Sequence, residues 1–184
     1  VPSGIFRQDA INIVGNGVVL DPITFKGECD NIAKTGIPVT KRIVIAKKAH
    51  LILPTHRLLD AANEAAMGKS KIGSTLKGIG PTYTDKIGRY GLRVGDILAA
   101  DFEERYAKLQ NRHITLLNQM GFECDPHAED AAFMEAVNFL KEFELVDCEY
   151  YINNLLKDNE ILAEGAQGSM LDIDYGSYPF VTSS

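Results

Sequence analysis

Few cysteines and no clustered histidines occur in this sequence. The three cysteines are far apart and form no CxxC pair, so a disulfide framework and a zinc finger are both disfavoured, and reduced thiols in apolar positions are expected: Cys29, Cys124 and Cys148. The four histidines, at positions 50, 56, 113 and 127, show no HExxH or similar spacing. We therefore expect no transition metal held by these side chains.

Long hydrophobic runs and an excess of positive charge are also lacking. No apolar run approaches the ~20 residues that cross a bilayer, and the amino terminus shows no signal-peptide pattern, so a cytoplasmic protein is expected. Lys and Arg total 19 against 25 Asp and Glu, a net charge of −6. Broad binding to nucleic acid or to an acidic membrane is disfavoured, because it needs a basic surface, whereas a local basic pocket is compatible with this balance.

What the chain does have is a segment rich in glycine, hydroxyl and basic side chains, at residues 71–93. Glycines let a ligand approach backbone amides, while hydroxyls and cations supply donors and charge. The residues concerned are Gly73, Ser74, Thr75, Lys77, Gly78, Gly80, Thr82, Thr84, Lys86, Arg89 and Arg93. The segment is typical of a phosphate-binding loop. A glycine-rich turn followed by a loop with solvated basic residues is the alternative that composition leaves open.

The apolar pattern predicts an α/β fold with a mainly parallel sheet flanked by helices. Strands are expected at residues 11–14, 18–20, 42–46 and 51–53, the first two around a tight turn, with helices at about 22–33 and 55–67. Asp21 should cap the first helix and Pro22 should begin it. The turn Gly15-Asn16-Gly17 lacks the third glycine of a dinucleotide fingerprint, and Gly68-Lys69-Ser70 lacks the first glycine of a Walker A loop.

The second half of the chain is predicted to insert a helical subdomain into this core. Residues 101–157 show three helical stripes, the first with a capping box at Asp101 and Glu104 and the second beginning at Asp125 and Pro126. Residues 1–100 would form the core, and residues 158–184 would return to it with a strand at 160–164 and a substrate-binding loop. Apolar side chains interleaved in that loop suggest that it packs down and that its polar groups then need partners.

Five motifs, taken in order, carry a resemblance to the adenylosuccinate synthetase family. They are PSGI at 2–5, GNGVVLDP at 15–22, GSTLKGIGPTYTDK at 73–86, GLRVGD at 91–96 and EGAQGSMLDIDYGSYPFVTSS at 164–184. The resemblance spans the chain and is least diagnostic in 101–157. It implies a homodimeric purine-biosynthesis ligase that joins L-aspartate to inosine monophosphate (IMP), hydrolyses GTP and requires Mg²⁺.

The same resemblance assigns roles to individual residues. Thr75 and Thr182 resemble threonines that contact the 5′-phosphate of IMP, and Arg89 resembles an arginine that reaches across a two-fold interface to the phosphate bound by the partner subunit. Gln167 resembles a glutamine that hydrogen-bonds the purine near its reacting oxygen. Lys86 and Arg93 are further basic residues that would help the phosphate or hold the interface.

The departures from the family pattern limit what this chain should do alone. The family's GDEGKGK-type loop with its catalytic aspartate, its general-acid histidine, and its aspartate- and guanine-binding segments are not found, and Tyr90 stands where a second basic residue is common. We expect an internal piece of a longer protein, with no catalytic residue and no metal ligand, inactive by itself. The alternatives are a non-catalytic nucleotide-binding or oligomerisation module and a nicotinamide-dependent oxidoreductase, the latter disfavoured by the incomplete glycine fingerprint.

Overall fold

The computed structural model describes residues 1–68 and 73–183. The strands in these ranges are β1 (Asn12–Val14), β2 (Val19–Leu20), β3 (Ile43–Ala46), β4 (His50–Leu51) and β5 (Glu144–Val146). The α-helices are α1 (Pro22–Ala33), α2 (Val39–Arg42), α3 (Pro54–Ala66), α4 (Ile79–Gly88), α5 (Phe102–Gln119), α6 (Asp130–Leu140) and α7 (Cys148–Leu155), and short 3-10 helices cover Ser3–Phe6, Val94–Leu98 and Ser169–Leu171. None of the described helices is long and apolar enough to cross a membrane.

Two small parallel sheets form the centre of the fold. The larger has the order β1-β3-β5, with Ile13 opposite Val44 and Ile45 opposite Leu145, and the smaller pairs β2 with β4. All four residues of β3 are buried, as expected for a central strand covered on both faces. The predicted α/β class with a mainly parallel sheet is confirmed. The tight turn predicted between β1 and β2 is present, with the Val18 N–H donating to the Gly15 carbonyl at 3.1 Å, and the two strands join different sheets.

Helix α1 begins where the sequence predicts, at Asp21 and Pro22. The Asp21 carboxylate accepts hydrogen bonds from the backbone N–H groups of Ile23 at 3.0 Å and Thr24 at 3.2 Å. These bonds satisfy two of the donors that a helix start leaves without partners. The cap therefore fixes the direction in which the chain leaves β2.

Replacing this cap should have a measurable cost. Asp21→Ala should lower the free energy of unfolding by about 1 kcal/mol, because two backbone donors lose their acceptor. Urea denaturation followed by circular dichroism would measure it. Asp101→Ala is the matched control, since the Asp101 side chain makes no capping hydrogen bond to α5, and its effect should stay within about 0.5 kcal/mol. Equal losses in both variants would contradict the capping role.

The helical segment 101–157 shares one hydrophobic core with the sheet. Phe102 and Tyr106 of α5 and Phe133 of α6 belong to the same buried cluster as Ile43 and Ile45 of β3. The Tyr106 and Phe133 rings stack with centroids 4.9 Å apart. The division of the chain at residues 100 and 157 stays a prediction, but the packing ties both parts together through these aromatic side chains.

The prediction of a strand at residues 160–164 is wrong. The third strand of the larger sheet lies earlier in the chain. Residues 158–168 have no regular secondary structure, and Leu162 is 92% exposed. The strand that pairs with β3 on this side is β5, inside the segment predicted to be almost all helical. The physical reason is pairing: β3 already has β1 on one side and β5 on the other, so an apolar run at 160–164 finds no free edge there.

Several local predictions also need correction. The capping box at Asp101 is not formed. The second helix of the segment begins at Asp130 rather than at Asp125, because residues 126–129 form turns. Cys29 and Cys148 are buried thiols, as expected, but Cys124 is exposed.

Candidate functional site

The start of helix α4 packs closely against the backbone of helix α3. Its N-cap, Gly78, has a positive φ of 75°, and a methyl group built on it would lie 2.9 Å from both the Arg57 nitrogen and the His56 carbonyl carbon. Ordinary side chains avoid both this backbone conformation and such a contact. Glycine at this position therefore lets the loop before α4 approach the α3 backbone closely.

Asp60, on α3, shapes the loop that precedes α4. Its carboxylate accepts a hydrogen bond from Ser74 Oγ at 2.7 Å and another from the Gly78 backbone N–H at 2.9 Å. Asp60 itself is 7% exposed, so both bonds are shielded from water. Thr75 lies between these two anchored positions and is exposed. The first two residues of the predicted glycine-rich segment, Lys71 and Ile72, lie outside the described residues.

The carboxyl-terminal loop reaches the same end of α4. A methyl group built on Gly80, in the first turn, would lie 3.3 Å from Ser183 Oγ. Thr182, next to Ser183, is half-buried and donates its backbone N–H to the Leu171 carbonyl at 2.8 Å. Segments that are distant in sequence thus meet at a helix N-terminus, where backbone N–H groups and the helix dipole favour an anion.

The carboxyl-terminal loop does not pack down as predicted. Met170 is 67% exposed and Phe180 is 65% exposed. The loop instead satisfies its own polar groups: the Asp172 carboxylate accepts from the backbone N–H groups of Asp174 and Tyr175, each at 2.9 Å, and Ser177 donates to the Met170 carbonyl. Local turns of this kind can order a loop without burying its apolar side chains.

Gln167 lies in the irregular stretch that leads into this loop. It is half-buried. Three residues before it, Glu164 accepts a hydrogen bond from Ser3 Oγ at 3.0 Å, which joins the stretch to the amino-terminal motif. Ser184, the last residue of the motif, lies outside the described residues.

Arg89 lies at the opposite end of α4 from Thr75. The helix has ten residues, so its ends are about 15 Å apart. Arg89 caps the carboxyl end with a positive φ of 64° and is exposed. The structure therefore separates Arg89 from the site residues at the other end of the helix within one chain.

A basic pocket of about 240 Å³ surrounds Arg89. Its lining comprises His50, Lys86, Arg89, Gly91, Arg93, Asp96 and Arg105. Asp96 offsets part of the positive charge, because it pairs with Arg105 at 3.0 Å. Burial lowers the pKa of His50, and the neighbouring Lys86 and Arg93 lower it further. The pocket therefore carries a net positive charge suited to an anionic group.

A buried network that the sequence did not predict lies beneath α4. His56 on α3 and His113 on α5 both hydrogen-bond the Asp85 carboxylate on α4, with Nε2 to Oδ2 distances of 3.0 and 2.7 Å. His56 Nδ1 accepts the Leu53 backbone N–H at 2.9 Å, and Thr55 Oγ1 lies 2.7 Å from His113 Nδ1. Every ring nitrogen in the network therefore has a partner.

Burial and hydrogen bonding set the charges in this network. Burial lowers the pKa of His56 to about 4, and the hydrogen bond to Asp85 offsets only part of that effect. Burial alone would raise the pKa of Asp85, but hydrogen bonds from His113 and His56 outweigh it and leave that pKa well below its usual range. At neutral pH Asp85 is an anion and His56 is a neutral donor.

These three side chains do not fit a metal ion. They are a group of potential ligands within 4.8 Å of one another in the described part of the chain. The Leu53 N–H fixes the tautomer of His56, so that its Nε2 carries a hydrogen towards Asp85 and offers no lone pair. Mg²⁺ prefers oxygen ligands in octahedral geometry, which this set lacks.

One sequence signal could have revealed the network. His113 lies four residues after Leu109 and four before Leu117, both buried on α5. It therefore falls on the apolar stripe of that helix, where an imidazole needs a polar partner. The sequence alone could not identify the partner, because Asp85 lies 28 residues away on another helix.

Comparisons with known proteins point to one family. A model of the family described as adenylosuccinate synthetase matches residues 1–184. Adenylosuccinate synthetase of Parabacteroides distasonis is 58% identical over 185 residues, and that of Porphyromonas gingivalis is 58% identical over 186, in each case over 100% of this chain but only 44% of the relative. A fully ligated adenylosuccinate synthetase structure from Plasmodium falciparum is similar with a TM-score of 0.85 at 32% identity, covering 100% of this chain and 43% of that one.

Proposed function

Because this chain belongs to the adenylosuccinate synthetase family, we propose that it supplies the nucleoside-monophosphate site of a ligase. That ligase would join IMP to L-aspartate and hydrolyse GTP. The chain spans less than half of the curated relatives it matches, so the remaining sites would lie outside it. Membership of this family disfavours the alternative of a nicotinamide-dependent oxidoreductase. A cytoplasmic location is proposed with it, because the substrates are soluble metabolites.

The observation that carries the proposal is the approach of the carboxyl-terminal loop to the first turn of α4. Ser183 lies against Gly80, and Asp60 holds the loop around Thr75 on the other side. A phosphate there would receive hydroxyl donors from Thr75 and Thr182 and would face the positive end of the helix dipole. Hydrogen bonds to a charged group contribute about 1.5–3 kcal/mol each, which is enough to anchor a nucleotide.

The described residues would bind and orient, rather than carry out bond chemistry. The 6-oxygen of the purine is a poor leaving group, so GTP would phosphorylate it before the amine of aspartate displaces the phosphate. Gln167, whose amide both donates and accepts, would hydrogen-bond the purine next to that oxygen. We assign no catalytic residue and no Mg²⁺ ligand among the described residues, and the metal and GTP are proposed to bind mostly elsewhere in the full-length enzyme.

Arg89 is proposed to serve a second copy of the chain in a homodimer. It is exposed and lies at the far end of α4, a helix about 15 Å long, from the loop that carries Thr75, so it suits a phosphate held by another subunit. Ile87 is 79% exposed beside it, and Tyr90 is also exposed. Aromatic and apolar groups around an arginine are typical of a protein interface.

Removing the Arg89 guanidinium tests this role. In the full-length enzyme, Arg89→Leu should weaken IMP binding by about 10–100-fold, the equivalent of one charge-assisted hydrogen-bond pair. Isothermal titration calorimetry would measure the Kd. Arg7→Leu is the control, because Arg7 is an exposed arginine that pairs with the neighbouring Asp9, and its Kd should match the wild type. Unchanged affinity in Arg89→Leu would contradict the shared site.

A titration can test the monophosphate site itself. Adding IMP to the 184-residue chain should shift the backbone amide signals of Thr75 and Thr182 together in NMR spectra, because both would contact the phosphate. Shifts confined to other regions would refute the assignment. GTP- and aspartate-dependent product formation by this chain alone would refute the division of labour proposed here, whereas its absence from the full-length protein would favour a non-catalytic nucleotide-binding module.

A further inference from the structure

We propose that the buried network of His56, Asp85 and His113 positions Arg89, and that Asp85 is a positioning residue for the phosphate contact across the dimer. This inference rests on the proposed function of Arg89. Asp85 lies in the last turn of α4, while His56 also contacts the N-cap, because a methyl group built on Gly78 would lie 3.0 Å from His56 Cβ. Through Asp85, the network therefore reaches the end of the helix that presents Arg89.

The backbone of Asp85 connects the network to the turn that carries Arg89. The Asp85 carbonyl accepts hydrogen bonds from the N–H groups of Tyr90 at 2.9 Å and Gly91 at 3.2 Å, while the Arg89 N–H donates to Lys86 at 3.2 Å. One residue thus binds the histidines through its side chain and closes the helix end through its main chain. A displacement of Asp85 would move the turn directly.

Arg89 occupies a backbone conformation that needs support. Its φ of 64° lies in the left-handed region, where helix ends usually place glycine. For a residue with a side chain, this conformation costs about 1–2 kcal/mol. It persists only where contacts with the surrounding structure hold the backbone in place. On the far side of the turn, a methyl group built on Gly91 would lie 2.9 Å from His50 Cδ2 and 3.5 Å from the Asp85 carbonyl carbon. The turn is therefore enclosed between Asp85 on one side and His50, which lines the basic pocket, on the other.

The network is also rigid in itself. His56 is fixed by the Leu53 backbone and His113 is close to Thr55, so neither imidazole can rotate without losing a second partner. Asp85 is held from α3 and α5 at once, and all three side chains are buried. A simple structural role would stabilise the fold without any particular effect on Arg89, and the experiment must separate these two roles.

A double-mutant cycle in the full-length enzyme makes that separation. Asp85→Asn should weaken IMP binding about tenfold when Arg89 is present, and less than about twofold in the Arg89→Leu background, because its effect passes through Arg89. Asp130→Asn is the control: Asp130 accepts from Tyr106, Gln110 and His127 but lies at the α5–α6 contact. It should lower stability without changing the Kd in either background.

The outcomes distinguish the inference from the proposed function. If Arg89→Leu alone leaves the Kd unchanged, the proposed role of Arg89 fails. If Arg89→Leu weakens binding but Asp85→Asn weakens it equally in both backgrounds, or not at all, only the positioning role fails. Should Asp85→Asn not fold, Thr55→Val is used in the same cycle, since it removes only the hydroxyl beside His113 Nδ1 and should show the same dependence on Arg89.

Discussion

Gly78→Ala is expected to lower the free energy of unfolding by about 3–5 kcal/mol, the sum of a backbone-strain cost and a contact cost. Gly78 has a φ of 75°, and the new methyl group would meet the α3 backbone at 2.9 Å. Backbone atoms inside a helix cannot move aside as the end of a flexible side chain can. The loop must therefore lift away from α3, which would also weaken the hydrogen bond from Gly78 to Asp60. Urea denaturation at pH 7 would measure the loss.

Gly121→Ala separates the two costs. Gly121 also has a positive φ, of 64°, but a methyl group built there has no heavy atom within 4 Å. The free energy of unfolding of this variant should fall only by the cost of backbone strain, about 1 kcal/mol. If Gly78→Ala and Gly121→Ala were equally destabilising, the close approach of the α4 loop to α3 would contribute nothing to stability, and the contact argument for Gly78 would be wrong.

Acid should destabilise the protein well above the pH at which ordinary carboxylates titrate. The pKa of His56 is lowered from 6.5 to about 4 in the folded chain, so the unfolded state binds a proton first as the pH falls. Stability is therefore complete above pH 6.5 and is lost towards pH 4, by about 2 kcal/mol at pH 5 and about 3 kcal/mol at pH 4. Below that range, the lowered pKa of Asp85 removes more stability in the same direction.

Urea titrations at pH 7, 6, 5 and 4 would measure this dependence. In His56→Gln most of the slope between pH 7 and 5 should disappear, and a smaller slope should remain because burial also lowers the pKa of His50. His127→Gln is the matched control, since the His127 side chain is 59% exposed and lies outside the buried network, and it should keep the wild-type loss of stability between pH 7 and pH 5. A wild-type free energy that is flat from pH 7 to pH 5 would show that His56 is not the neutral, buried donor described above.

Local rules predicted the first half of the fold well. Asp21 and Pro22 mark the start of α1 because capping is decided within a few residues, and the β-branched run that became β3 is apolar enough to require burial. For the second half of the chain, the strand prediction is wrong at residues 144–146 and 160–164 for a common reason. Both runs have strand character, and the choice between them depends on which edge of β3 is free, which is a tertiary property.

The candidate site shows the same division between local and tertiary information. Glycines and hydroxyls in residues 73–80 indicate an anion-binding loop from composition alone, and the meeting of Gly80 with Ser183 agrees with the expected convergence of the two motifs. The roles of Thr75, Thr182, Gln167 and Arg89 stay predictions that rest on the family resemblance. The buried network was missed because its members come from three helices with no regular spacing.

The sequence separation between β3 and β5 sets how late the central sheet can be completed during synthesis. Val44 of β3 pairs with Glu144 of β5, so about 100 residues must be translated before the second edge of β3 is covered, which takes on the order of 5–20 s at usual elongation rates. During that interval a short apolar strand presents unpaired N–H and C=O groups to the solvent. Nascent chains are most exposed to misassembly with one another in this window, and slower translation between the two strands should lower the soluble yield.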